Sequence, residues 1–413
     1  MKRKRIILVA PPFSGHLHPI IGLALHLQPL AEVLVLSTPR GMRTAQTAGV
    51  HALSILEYAE EEVWAIAEPG KEVKGNPLSL YRQLRANIAL MAGLRQELDR
   101  LYRVHQPDLV IADFTVPVAG WAAQQYGAHW WTTTCSPCVI ETRDGPPAYF
   151  GGQTPAESWP QKLSQTGMRF ATHIFKRTMY GIFQRELRSL GLSGVYRKDG
   201  AEAAYSSECI LGLWMHELDF PCTYPAAFQM IGPVLYTPPF RHPPPAFTDD
   251  GRQRILITLG THLRHAKAMV CEAVKVMAQR MPNVVFHFSH GQAQQAFVHI
   301  EDNFHQYAYI SYAKHLTQYD LIVHHGGSGI LLHTLQHGKP AIVYPLDFDQ
   351  FDNAARLIST GAALRARTIT DLEPLIQHAL EDTSLCNASK RLAKAMSAYQ
   401  PQNKLTRLLE TIL

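Results

Sequence analysis

Short apolar runs alternate with longer amphipathic stretches in the first half of the chain. The runs at residues 5–10, 32–37 and 109–112 predict buried β-strands, and residues 19–27 and 118–126 predict helices. Pro19 is expected in the first turn of its helix, where a missing N–H is tolerated. Strands that alternate with helices are typical of a doubly wound parallel sheet.

The pattern restarts after a break. Residues 237–246 (TPPFRHPPPA) are too rich in proline for a regular element and predict a stiff linker. Beyond it, strands are predicted at 254–258, 284–288, 321–323 and 341–344. We therefore expect an α/β protein of two Rossmann-like domains facing across a cleft. Their predicted bounds are 1–236, a linker at 237–250, and 251–413, with a last helix that can pack back on the first domain.

Composition limits the ligand and the location. Apolar residues make up 46% of the 413 residues and charged residues 18%, which indicates a globular protein. A net charge of +5 is small for this length and suits an anionic small molecule better than a nucleic acid. No apolar run reaches the roughly 18 residues of a membrane span, and the first apolar run is too short for a signal peptide, so we expect a cytoplasmic protein.

The most informative stretch is HHGGSG at residues 324–329, between a predicted strand and a helix. Small residues such as Gly327, Ser328 and Gly329 let backbone N–H groups approach a phosphate, and the helix N-terminus adds about half a positive charge. His325 is placed to donate to a diphosphate oxygen. A ligand is expected at the carboxyl ends of the strands.

These residues resemble the donor-binding motif of the UDP-glycosyltransferase superfamily, which has the GT-B fold. The resemblance rests on HHGGSG, on Gly338-Lys339-Pro340 and on the pair Asp349-Gln350. Residues 15–19 (GHLHP) and 259–261 (LGT) are similar to two further segments of that family. Within it, residues 10–13, 217–221 and 259–261 look most like bacterial carotenoid (zeaxanthin) glucosyltransferases.

The resemblance implies an inverting hexosyltransferase that moves a hexose, glucose above all, from a UDP-sugar to a hydroxyl of a lipophilic small molecule. It also implies the donor-binding residues, namely Thr261, Tyr309, His325, Gly327, Ser328, Gly329, Asp349 and Gln350. Two positions depart from the family. Ile330 stands where a phosphate-binding Thr or Ser is common, and Tyr309 stands where a Trp usually stacks on the base.

His16 is the candidate general base. An acceptor hydroxyl must lose its proton as it attacks the sugar, and histidine titrates in the useful range. His16 is predicted in a loop after the first strand, and Asp113 ends a neighbouring strand at the same edge of the sheet. In the resembled family an aspartate at this place pairs with the histidine. His18 is the competing candidate, and we interpret it as a structural histidine.

Asp347-Phe348-Asp349 is a DxD sequence, which other glycosyltransferases use to hold a metal ion. A hard cation prefers several oxygen ligands, more than the two carboxylates of the DxD sequence supply. We therefore expect no metal and no other cofactor, and assign Asp349 and Gln350 to sugar hydroxyls.

Residues 161–191 form a basic amphipathic stretch. It fits either docking on an anionic membrane or a helical cover over the acceptor pocket, and the second interpretation is favoured.

Two other functions remain open from the residues. A nucleotide-sugar epimerase would have the same fold but no need for the His16 and Asp113 pair. A non-catalytic nucleotide-sugar-binding partner protein would also bind the donor, but it would have no use for a base.

Overall fold

Two seven-stranded sheets form the framework of the computed structural model. The structure describes residues 3–67, 77–239, 242–247, 249–261 and 264–412. Residues 240, 241 and 248 of the predicted linker lie outside the described residues. Between the two sheets, the described residues 231–239, 242–247 and 249–252 form neither helix nor strand.

The first sheet is parallel throughout, in the order β3-β2-β1-β4-β5-β6-β7. Its strands are β1 (Arg5–Val9), β2 (Glu32–Ser37), β3 (Ala52–Ser54), β4 (Leu109–Asp113), β5 (His129–Thr134), β6 (Cys209–Gly212) and β7 (Phe228–Met230). The helices of this half are α1 (Ser14–Leu27), α2 (Pro39–Thr47), α3 (Glu60–Ala67), α4 (Pro77–His105), α5 (Pro117–Tyr126), α6 (Trp159–Ile182) and α7 (Gln184–Leu190).

The second sheet has the order β10-β11-β9-β8-β12-β13-β14, and only the edge pair β10–β11 is antiparallel. Its strands are β8 (Gln253–Thr258), β9 (Val284–Ser289), β10 (Val298–Glu301), β11 (Phe304–Tyr307), β12 (Leu321–His324), β13 (Ala341–Val343) and β14 (Ala363–Arg365). The helices are α8 (Arg264–Arg280), α9 (Tyr312–His315), α10 (Ser328–Gln336), α11 (Gln350–Ser359), α12 (Leu372–Glu381), α13 (Thr383–Ser397) and α14 (Pro401–Glu410). The predicted α/β class with two Rossmann-like sheets is confirmed.

The central strands are apolar on both faces because helices cover both sides of a parallel sheet. Leu8 and Val9 of β1 and Ile111 of β4 are fully buried, as are Ile255 and Ile257 of β8. Such continuous apolar runs carry a strong sequence signal, and the observed strands match the predicted ones within one or two residues at each end.

The first helix begins earlier than predicted. Helix α1 starts at Ser14, so Pro19 lies inside it and not in its first turn. Proline in a helix interior removes one backbone hydrogen bond, which is why the sequence favoured a later start. The predicted loop position of His16 is therefore wrong, because His16 lies in the first turn of α1.

The last helix contacts the first half of the chain. Leu405 and Leu409 of α14 are buried in one apolar cluster with Ile20 and Leu27 of α1. Lys404 Nζ donates to the carbonyl of Met230 at 3.1 Å.

The apolar side of α6 faces solvent. Trp159 and Phe170 are 74% and 66% exposed, so the prediction that this side covers the acceptor pocket is wrong. Among the described residues, every helix is too short or too polar to span a lipid bilayer.

A buried ion pair also joins the halves. Asp219 follows β6, and its Oδ1 accepts from Nε of Arg356 in α11 at 3.0 Å, with both side chains almost fully buried. Tyr224 donates its hydroxyl to Asp219 Oδ2, and the Arg356 guanidinium lies 4.9 Å from the Phe220 ring centre. The ion pair is thus desolvated, and both its carboxylate and its guanidinium have a further partner.

Asp219→Ala should destabilise the protein by about 3–5 kcal/mol, because Arg356 would stay buried without its carboxylate. Glu373→Ala is the matched control. Glu373 pairs with Arg280, which is 55% exposed, so its loss should cost about 1 kcal/mol or less. Urea unfolding monitored by circular dichroism measures both. Equal losses for the two variants would contradict the structural role of the buried pair.

Candidate active site

A histidine and an aspartate meet at the carboxyl edge of the first sheet. His16 Nδ1 lies 3.0 Å from Asp113 Oδ1. They come together because β1 and β4 are adjacent and parallel, so that α1 and the last residue of β4 share one edge. Thr115 also donates to Asp113 Oδ1, through its backbone N–H at 3.0 Å and its hydroxyl at 2.5 Å. The aspartate is thereby held in one orientation.

The electrostatic surroundings separate His16 from His18. Burial alone would lower the pKa of His16, but the charges of Asp113 and Asp349 and the hydrogen bond to Asp113 outweigh it, so the pKa is raised. Burial and the nearby His333 lower the pKa of His18 to about 4. His18 packs against the Tyr236 ring, 5.7 Å away between ring centres. Of the two, His16 has the surroundings of a general base.

The glycine-rich turn lies at the corresponding edge of the second sheet. Strand β12 ends at His324, which is opposite Thr258 at the end of β8. Burial lowers the pKa of His324 to about 3, and its Nδ1 accepts the Gly326 N–H at 3.1 Å. This neutral histidine therefore holds the turn closed. Gly326 has a φ of +93°, a value that favours glycine.

His325 sits between two glycines. A Cβ at Gly260 would lie 2.7 Å from His325 Cε1, and a Cβ at Gly327 would lie 2.5 Å from Nε2. No side chain fits at either position, so glycine is required for the ring to be there. Helix α10 begins directly afterwards at Ser328, and a Cβ built on Gly329 meets nothing within 4 Å. The first turn of α10 therefore has open space beside Gly329.

Asp349 connects the two edges. Its Oδ2 accepts from the hydroxyl of Ser136, which follows β5, and from Nδ2 of Asn353 at 3.1 Å. Asn353 Nδ2 also lies 3.1 Å from the Gly326 carbonyl and 3.2 Å from Ser136 Oγ. Asp349, the glycine-rich turn and the first sheet therefore form one polar network. Sequence reasoning missed Ser136 and Asn353, and the only available signal was the position of Asn353 one helical turn after Asp349.

Gln350 turns back into its own loop. Its Oε1 accepts the N–H groups of Leu346 and Asp347, at 2.9 and 3.1 Å, and the side chain is buried. The predicted contact of Gln350 with a sugar hydroxyl stays a prediction.

The remaining predicted donor residues lie along the same edge. Tyr309 is half-buried, and its ring centre is 5.0 Å from that of His242. Thr261 follows Gly260 in the turn after β8 and is also half-buried. Ile330 is 4% exposed within an apolar cluster, so in this chain the position packs inward and does not face a phosphate.

The DxD sequence forms a hydrogen bond within its own loop. Asp347 Oδ1 accepts the N–H of Phe348, which has a φ of +52°. Within the part of the chain that the structure describes, no three His, Cys, Asp or Glu side chains are grouped as metal ligands. The absence of a metal from the reaction stays a prediction.

An apolar cavity of about 150 Å³ opens beside the histidine. Phe13 and Thr115 line it, and the same Phe13 packs edge-on against the His16 ring at 6.4 Å. The other lining residues are mostly aliphatic and include Ile55, Leu56, Val63, Leu90, Met91 and Leu94. A molecule in this cavity would approach His16 from the side of the first domain.

Known proteins are similar to this chain in sequence. Residues 272–411 match the family model of the erythromycin biosynthesis protein CIII-like C-terminal domain. The zeaxanthin glucosyltransferase of Pseudescherichia vulneris is 23% identical over 371 residues, 87% of this chain and 85% of that protein. The L-demethylnoviosyl transferase of Streptomyces niveus is 27% identical over 384 residues, 89% and 86% of the two chains.

Solved structures agree in fold. The glycotransferase of kitacinnamycin superposes with a TM-score of 0.76 at 18% identity, and covers 100% of both chains. The glycosyltransferase SnogD from Streptomyces nogalater gives 0.67 at 21% identity, again over 100% of both. The chain is therefore a sugar-transferring enzyme with the GT-B fold, similar to known glycosyltransferases along most of its length.

Proposed function

We propose that the protein is an inverting glycosyltransferase that moves glucose from UDP-glucose to a hydroxyl of a lipophilic small molecule without a metal ion. The observation that carries the proposal is the His16 and Asp113 pair, which faces Asp349 and the glycine-rich turn across the cleft. A base from one domain and a diphosphate site from the other meet at the reacting carbon.

His16 acts through its free ring nitrogen. Its Nδ1–H donates to Asp113 in the neutral tautomer, which leaves the Nε2 lone pair for the acceptor hydroxyl. As the hydroxyl oxygen bonds to the anomeric carbon, its proton passes to Nε2, and Asp113 stabilises the imidazolium that forms. No second proton transfer to the carboxylate is needed.

Stereochemical inversion follows from this arrangement. The base and the acceptor belong to the first domain, and the diphosphate binds at the turn before α10 in the second. The incoming oxygen and the leaving diphosphate are then on opposite faces of the sugar. One displacement with the two groups in line inverts the anomeric centre.

The leaving group is stabilised by the second domain. As the bond to the diphosphate breaks, negative charge grows on the oxygen that departs. His325 and the N-terminus of α10 supply hydrogen-bond donors and a positive dipole end there. Helix α10 carries no acidic residue in its first turn to compete with a phosphate.

Asp349 binds the sugar. Its Oδ2 is engaged by Ser136 and Asn353, so Oδ1 is the oxygen we assign to hexose hydroxyls. Glucose is supported by the two zeaxanthin glucosyltransferases among the relatives. It is also supported by a sterol 3-beta-glucosyltransferase of Vanderwaltozyma polyspora, which is 38% identical over 81 residues, 18% of this chain and 7% of that protein.

The apolar cavity supports a lipophilic acceptor. Ligand pockets for whole drug-sized molecules usually measure about 300–1,000 Å³, so a cavity of about 150 Å³ takes only the reacting end of a larger molecule. Its aliphatic lining suits a hydrocarbon ring or chain that carries the hydroxyl towards His16.

His16→Ala should lower kcat by about 10²–10⁴-fold, as expected for loss of a general base, while the Kd for UDP-glucose stays unchanged. The matched control is His129→Ala. His129 also pairs with a carboxylate, Glu208 at 2.8 Å, but on the surface, so its loss should leave kcat unchanged. Mass spectrometry of product from UDP-glucose and a lipophilic alcohol measures both. A His16→Ala enzyme with wild-type kcat would overturn the assignment.

The pH profile tests Asp113 as the group that sets the basicity of His16. Because His16 must be neutral to accept a proton and its pKa is raised, kcat/KM should rise with pH to a midpoint above about 6.5. Asp113→Asn should move that midpoint to lower pH, since burial then opposes the imidazolium without a carboxylate, and should lower kcat by less than His16→Ala does. An unchanged midpoint in Asp113→Asn would contradict this role.

Calorimetry with UDP and with UDP-glucose, both in EDTA, can separate the diphosphate contacts of the donor site from its sugar contacts. His325→Ala should raise Kd about tenfold or more for both ligands, because it removes a bond to the charged diphosphate. Asp349→Asn keeps the size of the side chain and acceptors for Ser136, so UDP should bind normally and only UDP-glucose more weakly. Equal weakening of UDP by both variants would refute the division, and loss of all binding in EDTA would show a metal site.

A further inference from the structure

Helix α6 exposes its apolar face to solvent and turns its polar face towards the protein. Trp159, Leu163, Phe170 and Ile174 fall within about 60° of one another around the helix axis and point to solvent. Phe175 and Ile182 lie about 80–100° further around the helix and are also about half exposed. These six residues are called the outer face of α6. Single exposed apolar residues are ordinary, but a continuous row on one helix marks an interaction surface.

The inward side of α6 is polar and firmly attached. Gln165 Nε2 donates to the Thr154 carbonyl at 2.7 Å, and Arg169 Nη1 donates to the Gly145 carbonyl at 2.9 Å. Lys176 bonds to the carboxylates of Glu141 and Glu202. A surface helix normally buries its apolar stripe. Here the polar contacts fix the helix the other way, so the outer face is held exposed.

Basic residues outnumber acidic ones along α6 and α7. From residue 159 to residue 190 the chain carries six Lys and Arg side chains and one carboxylate, Glu186. Arg169 and Lys176 bond to groups beneath the helix. The other four cations are exposed, namely Lys162, Arg177, Arg185 and Arg188. An apolar stripe with basic residues beside it matches the acyl boundary and phosphate layer of an anionic lipid surface.

We propose that the outer face of α6, with the exposed cations Lys162 and Arg177 of α6 and Arg185 and Arg188 of α7, docks the protein on an anionic lipid membrane, with α6 lying in the plane of the interface. A second copy of the chain is a poorer occupant, because self-association would bring two such groups of cations together. The docking surface is independent of the proposed function.

Docking would also orient the active site. The inward side of α6 rests on residues 141–145, which continue from Ser136 at the end of β5. Ser136 in turn bonds to Asp349. A lipophilic acceptor dissolved in the bilayer would then be close to the cleft, a consequence that rests on the proposed function.

The test is co-sedimentation of the full-length protein with vesicles of phosphatidylcholine, alone or mixed with phosphatidylglycerol. We expect binding to the anionic vesicles that weakens with salt. Phe170→Ser with Ile174→Ser should reduce the partition coefficient about tenfold or more. Val104→Ser with Ile300→Ser, two exposed apolar residues elsewhere, is the matched control and should bind as wild type.

The cations are tested separately. Lys162→Gln with Arg177→Gln should weaken binding to anionic vesicles by roughly tenfold, and Arg103→Gln with Lys394→Gln, also exposed, should not. Equal binding to neutral and anionic vesicles, no binding, or the same loss in control and test variants would each overturn the proposal. Self-association that the Phe170 and Ile174 changes abolish, without vesicle binding, would assign the surface to a second copy. Vesicle binding needs neither donor nor acceptor, so these outcomes are distinct from failure of the proposed function.

Discussion

The position of α11 against the first domain is the constraint on which the active site depends. Arg356 near its end bonds to Asp219, Asn353 in its middle to Ser136, and Asp349 at its start to Ser136 as well. Asp352, on the same helix, accepts the N–H of Tyr149 at 2.9 Å. A buried ion pair gains little net stability, since desolvation offsets the attraction, but it penalises any arrangement in which one partner is left alone. The pair therefore specifies one placement of α11, and with it the distance between Asp349 and His16.

The same placement couples the two domains electrostatically. Burial, together with the nearby Asp349, raises the pKa of Asp352 to about 6 against the opposing effects of the Tyr149 N–H and Arg356. The ionised carboxylate of Asp352 is thus stabilised by Arg356 and by the Tyr149 N–H. Asp349 also contributes to the raised pKa of His16, although the two belong to different halves of the chain. The basicity of His16 therefore depends partly on domain arrangement: moving α11 away would remove one of the charges that favour the imidazolium, and would leave Asp113 as its main support.

The sequence predicted those parts of the molecule that follow from local pattern and from the geometry of parallel sheets. Buried strands have continuous apolar runs, and residues just beyond the ends of adjacent parallel strands must share an edge, which is why His16 and Asp113 were expected together. The turn at His325 was recognisable because glycines with a special backbone conformation have few substitutes. The network of Ser136 and Asn353 was not predictable, because it joins residues 217 positions apart in the chain through side chains that occur at countless surface positions. The start of α1 was missed because Pro19 favours a helix start, whereas packing of Leu17 and Ile20 against the core outweighs the lost hydrogen bond.

Helix α6 shows a different limit of sequence pattern. Periodicity locates an apolar stripe and a polar stripe on a helix, but it does not say which of them faces the protein. The usual assumption is that the apolar stripe is buried, because burying apolar area is the main favourable term in folding. That assumption fails where the surface beneath the helix is itself charged. Glu141 and Glu202 offer carboxylates to Lys176, and an apolar side chain turned onto them would remove the cation that pairs with both. Two acids outside the helix, of which Glu202 is buried and Glu141 partly buried, thus decide its rotation. The apolar side is then left for whatever lies outside the protein, and the exposed cations beside it favour an anionic surface.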